Sequence, residues 1–142
     1  MRDLGRVLIT GAQGVLGAAL VNRLRGHPVT ATDLATPDQA CDLTNFAQAL
    51  AVVQGGYDTI FHCGAVSGPT VMANQPLKIW RIIALGTAHV LEAARRTGRA
   101  RLFICSTFEV YGPLTRAVDE LSPPHPMSIY AASKVAAEQA TH

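Results

Sequence analysis

Residues 10–17, TGAQGVLG, constrain this chain most, because three glycines at intervals of three residues follow a short apolar run. That run, RVLIT, is typical of a buried strand, and the residues after the glycines carry apolar side chains at helical spacing. We assign Gly11 to the tight turn, Gly14 to a close approach of the backbone to a ligand, and Gly17 to close packing of the helix. The stretch therefore predicts a strand, a glycine-rich turn and a helix.

Predicted strands alternate with predicted helices along the chain. Short β-rich runs are expected to be strands at 6–10, 28–33, 58–64 and 100–107. Helical patterns cover 14–26, 42–56, 76–98 and the residues from about 128 onward. Asp42 or Thr44 is the predicted cap of the second helix, and only Gly86 interrupts the pattern of the third. Strict alternation predicts a parallel sheet with helices on both faces, which is a doubly wound, Rossmann-type α/β fold.

The glycine-rich turn and an acidic residue together predict a dinucleotide site. Free backbone N–H groups and the helix dipole would face phosphates, and the absence of a following Lys-Ser/Thr excludes the P-loop of nucleotide triphosphatases. Asp33 closes the second predicted strand about 20 residues after Gly11, where a carboxylate accepts hydrogen bonds from ribose hydroxyls and repels a 2′-phosphate. The sequence favours NAD over NADP, and a glycine-rich turn without a ligand is the alternative. The predicted cofactor-binding residues here are Gly11, Gly14, Val15, Leu16, Gly17 and Asp33.

The composition excludes several other classes of protein. A chain of 142 residues that is 49% hydrophobic and 15% charged fits one domain with a substantial core. Its formal charge of +2 is too small for a surface that binds nucleic acid or an anionic membrane. No apolar run approaches the roughly 20 residues of a membrane span. Cys41, Cys63 and Cys105 lack metal-site spacing, so we expect free thiols, no metal and a cytoplasmic protein.

Several ordered stretches resemble the extended short-chain dehydrogenase/reductases, the NAD-dependent epimerase/dehydratase group. They are TGAQGVLG (10–17), DL (42–43), HCGA (62–65), GTAHVLEAAR (86–95), CSTFEVYG (105–112) and YAASK (130–134). The resemblance implies that Asp42 and Leu43 flank the adenine and that Ala65 lines the cofactor cleft. It also implies a nucleotide-sugar-like substrate. His62 is expected to be a packed residue at a strand end rather than a catalyst.

Tyr130 and Lys134 are the predicted proton-transfer pair. They lie at i and i+4 of the last predicted helix, so they share one face. A tyrosine hydroxyl is a poor base at neutral pH unless a nearby cation stabilises the phenolate, which Lys134 and the nicotinamide ring would do. Tyr130 and Lys134 are also predicted to contact the cofactor, Lys134 through the nicotinamide ribose hydroxyls, and Thr107 would bind the substrate hydroxyl. The three residues predict abstraction of an alcohol proton coupled to hydride transfer to NAD, and a simple surface pair is the alternative.

Two positions depart from the family pattern. Phe108 replaces the aspartate of an acidic pair that assists dehydration in sugar-nucleotide 4,6-dehydratases, so only Glu109 remains, and it is alternatively a strand-end carboxylate. Ile83 stands where the family carries an asparagine that supports the hydrogen-bond network near the catalytic lysine. Isoleucine neither donates nor accepts, so a proton relay through this position is weakened. The alternative is that Ile83 is an ordinary core residue.

The predicted strands also bear on domain organisation. About four strands are expected, whereas a complete dinucleotide-binding sheet has about six in the order 3-2-1-4-5-6. We therefore expect residues 1–142 to form a truncated NAD-binding domain without the C-terminal substrate lobe, its fourth strand left with an unpaired edge. The resemblance implies a homodimer through the helices at 76–98 and 128–142. A simple alcohol or hydroxy-acid dehydrogenase and a non-catalytic NAD-binding module are the alternative functions.

Overall fold

The predicted alternation of strands and helices is present in the computed structural model, which describes residues 3–36, 39–98, 100–113 and 117–141. Within these residues the strands are β1 Val7–Thr10, β2 Val29–Thr32, β3 Thr59–His62 and β4 Arg101–Ile104. The α-helices are α1 Val15–Arg23, α2 Phe46–Val53, α3 Pro76–Trp80, α4 Gly86–Thr97 and α5 Ile129–Gln139. All strand pairs are parallel, which confirms the doubly wound α/β class.

The strand order is β2-β1-β3-β4, so the third predicted strand lies beside β1. The expected order 3-2-1-4 would have placed it beside β2, and that assignment was wrong. A single parallel bridge between Asp33 and Ala40 adds a segment next to the end of β2. The Thr32 carbonyl accepts from Ala12 on the β1 side, and the next carbonyl, that of Asp33, accepts from Cys41. With this bridge counted as the third position, the order becomes 3-2-1-4-5 and β4 takes the fifth position.

Both faces of the sheet are covered by helices, because alternate strand side chains point to opposite sides. Leu8 and Ile60 pack against α2 and α4, whereas Val7 and Ile9 pack against α1. All four side chains are fully buried, and burial of each contributes about 1.5–3 kcal/mol to folding. Because β1, β2 and β3 are parallel, their carboxyl ends lie at the same edge of the sheet. Loops that follow the carboxyl ends therefore meet at one edge.

The long helix expected at 76–98 has a different interruption from the predicted one. Residues Arg81–Leu85 form a π-helical turn between α3 and α4, and Gly86 begins α4 as a buried helical residue. The π-helical turn buries Ile83 and Ala84. Such turns are uncommon and frequently occur at functional sites, and no helical periodicity in the sequence reveals them.

The cap of α2 also differs from the prediction. The helix begins at Phe46, and the Asn45 side chain accepts hydrogen bonds from the N–H groups of Ala47 and Gln48. Asp42 and Thr44 lie outside the helix. Asn45 therefore satisfies two N–H groups that a helix start leaves without intrahelical partners.

Replacing this cap is expected to destabilise the chain. Asn45→Ala should lower the free energy of unfolding by about 1 kcal/mol, because two amides of α2 lose their acceptor. Asn45→Asp, which keeps a side-chain acceptor, should retain most of the stability. Urea denaturation of the three proteins measures both effects, and an unchanged midpoint for Asn45→Ala would contradict the assignment of the cap.

Candidate functional site

The glycine-rich turn owes its shape to close contacts between backbone segments. Gly11 has a φ of +68°, and a Cβ there would lie 2.5 Å from the Gly64 nitrogen. A Cβ on Gly17 would overlap the carbonyl oxygen of Gly11. The Gly14 N–H donates to the Gly11 carbonyl over 3.1 Å, and the Ala18 N–H donates to the Gly14 carbonyl over 2.8 Å. These close contacts explain why positions 11 and 17 carry glycine, since a side chain at either would clash. Contacts of these glycines with a ligand stay predictions.

Asp33 ties the end of β2 to this turn. Its Oδ2 accepts from the backbone N–H of Gln13 over 2.9 Å, and its Oδ1 accepts from the N–H of Leu34 over 2.7 Å. Each carboxylate oxygen has a second lone pair, so both remain able to accept from a ligand. Sequence reasoning assigned Asp33 a ligand role and missed this structural one. The carboxylate joins the end of β2 to the glycine-rich turn.

A cleft of about 510 Å³ opens at the carboxyl ends of β1, β2 and β3. Such a volume and position are typical of small-molecule sites in doubly wound folds. The predicted residues that line it are Gly11, Gly14, Asp33, Asp42, Leu43 and Ala65. Val15 and Leu16 instead expose their side chains at the start of α1, and Gly17 is buried against the turn. These last three residues are not among those that line the cleft, so their contacts with a ligand stay predictions.

The loop of Asp42 and Leu43 is held by side-chain hydrogen bonds. Asp42 Oδ1 accepts from both the N–H and the hydroxyl of Thr44, over 2.8 and 2.7 Å. The Leu43 carbonyl lies 2.8 Å from His89 Nδ1, which donates to it. The His89 ring packs beside Phe46, with 5.4 Å between ring centroids. His89 is a positioning residue that sequence reasoning missed, because its partner lies 46 positions away along the chain.

His62 ends β3 inside the protein, as the sequence predicted. Its Nδ1 lies 2.7 Å from Thr10 Oγ1 and its Nε2 lies 3.0 Å from Thr87 Oγ1. Burial, and to a lesser extent the positive charge of Lys134, lower the pKa of His62 from 6.5 to about 4. The ring is therefore neutral at physiological pH, which suits a structural connector between β1, β3 and α4.

Lys134 reaches from α5 to the end of β4. It is buried, and its Nζ donates to the Cys105 carbonyl over 2.5 Å. Burial lowers the pKa of Lys134, and the groups of Cys105, Cys63 and Glu138 oppose that shift. Among the described residues, no hydrogen bond joins Lys134 to Tyr130. The two side chains share α5 but have different immediate neighbours.

Tyr130 lies in an apolar cluster that borders the cleft. It is 7% exposed and packs with Val66, Ile79 and Ile83, with Met72 against the same cluster. Val66 and Met72 also line the cleft, so Tyr130 packs in the same cluster as two residues of the cleft lining. Ile83 is 1% exposed and occupies apolar space that an asparagine would fill with polar atoms. The core reading of Ile83 is therefore confirmed.

Thr107 lies beyond the end of β4, rather than at it as predicted. It caps the 3-10 turn Phe108–Tyr111, and its Oγ1 accepts from the Glu109 N–H over 3.3 Å. The hydroxyl hydrogen of Thr107 stays available for a substrate oxygen. Glu109 lies within this turn, so the reading of a strand-end carboxylate was wrong. The neighbouring Ser106 donates to Glu138 of α5, which joins the turn to the helix of Tyr130.

The sheet order, the glycine-rich turn and the cleft define a Rossmann-type dinucleotide-binding class of domain. Residues 7–142 match the NAD dependent epimerase/dehydratase family, and the chain belongs to that family. This confirms the resemblance drawn from the sequence stretches. In the described part of the chain, no helix has the length and apolar character needed to cross a membrane.

Relatives with different activities share this sequence pattern. The chain is 35% identical over 114 residues to a 3-beta-hydroxysteroid dehydrogenase of Mycolicibacterium neoaurum, covering 70% of this chain and 31% of that protein. It is 34% identical over 143 residues to the uronate dehydrogenase of Pseudomonas syringae pv. tomato, covering 91% and 50%. The solved structure of MoeE5 in complex with UDP-glucose and NAD superposes with a TM-score of 0.85 at 30% identity, covering 96% and 48%. The chain thus spans about half or less of the length of these relatives.

The neutral state of buried His62 predicts a pH dependence of stability. The folded ring binds a proton only near pH 4, whereas the unfolded ring binds one near 6.5. Stability from this residue is therefore complete above pH 6.5 and is lost as the pH falls toward 4. The free energy of unfolding should drop by about 2 to 3 kcal/mol between about pH 7 and about pH 4.5 through this group.

His62→Gln, which cannot titrate but can still hydrogen-bond, is the variant for this measurement. Urea denaturation across the same pH range should give a flatter profile for the variant than for the original chain. Equal slopes for the two proteins would show that other groups cause the pH dependence.

Proposed function

We propose that this chain binds NAD in the 510 Å³ cleft and carries the proton-transfer residues of an oxidoreductase that acts on a hydroxyl of a nucleotide-sugar-like substrate. The observation that supports this most is the joint placement of the glycine-rich turn and Asp33. Both border the cleft, and a hydrogen bond from Gln13 to Asp33 fixes their relative position. A site for phosphate and a site for ribose are thereby held together before any ligand arrives.

The residues present fit NAD in charge and shape. Side-chain-free backbone at Gly11 and Gly14 borders the cleft beside the start of α1, where N–H groups and the helix dipole favour phosphate. Leu43, Ala65 and Ile82 offer apolar surface for flat rings. The Asp33 carboxylate favours free ribose hydroxyls over a 2′-phosphate. MoeE5, to which the chain is similar, is described in complex with NAD.

The proposed reaction begins with the substrate hydroxyl on Thr107. Thr107 Oγ, whose lone pair accepts from Glu109, would donate its hydrogen to the substrate oxygen and orient it. Tyr130, as phenolate, would accept the proton of that hydroxyl. The chemistry that NAD supplies when bound is acceptance of a hydride from the substrate carbon.

Lys134 would supply the positive charge that stabilises the phenolate. Among the residues that the structure describes, its Nζ donates to the Cys105 carbonyl alone, which leaves two of its three donors for the phenolate and for ribose hydroxyls. Partial burial strengthens the field of this charge at neighbouring groups. Ile83, which packs in the same cluster as Tyr130, has no hydrogen-bonding group in its side chain. We therefore assign the stabilisation of the phenolate to Lys134.

We further propose that residues 1–142 act as an NAD-binding domain and that substrate-binding residues outside this range complete the active site. Each relative named above is about twice as long as the part of it that matches this chain, or longer. The nucleotide-sugar class is supported by MoeE5, which is described with UDP-glucose. The chain's own cleft residues give no preference for a particular sugar.

A simple NAD-dependent dehydrogenase is the second candidate. Two dehydrogenases, one for uronate and one for a 3-beta-hydroxysteroid, are among the similar proteins. Phe108 in place of an acidic residue disfavours dehydration, because a phenyl ring moves no proton. Net release of NADH on turnover would support the dehydrogenase, whereas an epimerase returns its hydride to the substrate.

The cofactor preference depends on the charge of Asp33. Asp33→Asn should weaken NAD binding about tenfold, because charge-assisted hydrogen bonds to the ribose are lost. It should also reduce the difference in affinity between NAD and NADP. Asp58→Asn is a matched control, since Asp58 accepts from the Arg6 N–H at the opposite end of the sheet. Isothermal titration of both variants with both cofactors measures the effect. Unchanged NAD affinity in Asp33→Asn, in a folded protein, would contradict the ribose role.

The proton-transfer role depends on the phenol of Tyr130. Tyr130→Phe should lower the rate at which a uronate or UDP-glucose is converted, followed as NADH or as sugar product, by about 10²- to 10⁴-fold, with NAD affinity largely unchanged. Tyr57→Phe is the control, because Tyr57 packs beside Arg6 just before β3. An original chain that binds NAD but turns over no such alcohol would fit a non-catalytic NAD-binding module, or a domain that needs the further substrate-binding residues proposed above. A fully active Tyr130→Phe would remove Tyr130 from the mechanism.

A further inference from the structure

Two cysteines meet at the edge of the sheet where Lys134 is bound. Cys63 follows β3 and Cys105 follows β4, each one residue beyond the last pair of the parallel ladder, His62 with Ile104. Their sulfur atoms lie 3.8 Å apart. Opposite residues on neighbouring strands have backbones about 4.8 Å apart, which falls within the Cα separation of about 4.4–6.8 Å that a disulfide requires.

The surroundings of this pair differ from those of the remaining cysteine. Cys63 lines the cleft, and both Cys63 and Cys105 are partly exposed. The Cys105 carbonyl accepts from Lys134 Nζ. Cys41 is instead buried in the apolar cluster around Leu8. The chain therefore has one accessible pair of thiols and one enclosed thiol.

The electrostatics make Cys105 the more reactive of the two. The hydrogen bond with Cys63 and, after it, the charge of Lys134 lower the pKa of Cys105, against burial, which raises it. The same hydrogen bond and burial raise the pKa of Cys63. The thiolate is the reactive form of cysteine, so Cys105 is suited to attack and Cys63 to resolve the product.

We propose that Cys63 and Cys105 form an oxidisable dithiol, which a peroxide converts to an intramolecular disulfide and a small dithiol restores. The sulfur positions, the adjacent strand ends and the contact with Lys134 support it. Reversible disulfides of this kind in reducing compartments are typically catalytic or redox-sensing.

The oxidation balances with hydrogen peroxide as the two-electron acceptor. The Cys105 thiolate attacks one peroxide oxygen, a sulfur–oxygen bond forms, the oxygen–oxygen bond breaks, and the released hydroxide takes up a proton to become water. The Cys63 sulfur then attacks the sulfenic sulfur of Cys105. The sulfur–sulfur bond forms, the sulfur–oxygen bond breaks, and a second water carries away the Cys63 proton. A small dithiol reverses the bond by thiol–disulfide exchange and is itself oxidised.

The consequence for the cofactor rests on the proposed function. Closing the sulfur–sulfur distance from 3.8 Å to about 2.0 Å rotates both side chains, one of which belongs to the residue whose carbonyl binds Lys134. It also removes the sulfur groups that raise the pKa of Lys134. Because Cys63 lines the cleft, we expect the oxidised chain to bind NAD about tenfold more weakly, the cost of about one disturbed charged hydrogen bond.

Mass mapping of the chain treated with hydrogen peroxide tests the dithiol. After denaturation and alkylation with N-ethylmaleimide, the reduced chain should carry a label on each of its three cysteines. The oxidised chain should carry a label on Cys41 alone, with Cys63 and Cys105 in one disulfide-linked peptide pair. Dithiothreitol should restore all labels.

Single variants separate the proposal from other oxidations. Cys63→Ser and Cys105→Ser should each abolish the intramolecular link, while Cys41→Ser should leave it intact. Full labelling after peroxide, a link that includes Cys41, or only links between chains would each overturn the proposal. Titration of the reduced and oxidised chain with NAD then measures the effect on the cleft. A reduced chain that fails to bind NAD contradicts the proposed function alone, since the mass map decides the dithiol by itself.

Discussion

The close approach of backbone around Gly11 is the constraint on which the site depends. At this point the end of β1, the start of α1 and the loop after β3 come within contact distance, and a Cβ at Gly11 would lie 2.5 Å from the Gly64 nitrogen. A side chain at Gly11 or Gly17 would push α1 away from the sheet. That movement would open the cleft and separate the turn from Asp33, whose carboxylate binds the Gln13 N–H. The shape of the cleft and the packing of α1 on the sheet thus depend on the same atoms.

The ends of β3 and β4 form a second region, where polar groups are buried together. His62 stays neutral there and connects Thr10 to Thr87. The Lys134 ammonium extends into the same region and donates a hydrogen bond to the Cys105 carbonyl. The lowered pKa of His62 and its proximity to Lys134 are consistent with each other, because a second buried cation beside the first would be costly. Neutral His62 therefore lets the region hold a single positive charge for the proposed chemistry.

The sequence predicted the fold class, the four strands and part of the cleft lining because these depend on local patterns. Apolar runs, glycine spacing and Asp33 after β2 are all legible along the chain. The strand order could not be predicted, because it depends on the bridge between Asp33 and Ala40. A pairing of one residue leaves no periodic pattern in the sequence. The π-helical turn at Arg81–Leu85 and the cap at Asn45 were missed because competing polar and helical residues lie beside them. The contact of Cys63 with Cys105 joins residues 42 positions apart, so only tertiary structure brings them together.

Amide hydrogen exchange of the chain with and without NAD tests the central claim most directly, because it reports where the cofactor lies. Binding in the cleft predicts slower exchange in the turn at 11–17, at 33–34 and around 42–43 and 64–66, with α2 and the outer face of α4 largely unchanged. Exchange that is unchanged throughout, or slowed only away from these segments, would contradict the placement of NAD in this cleft.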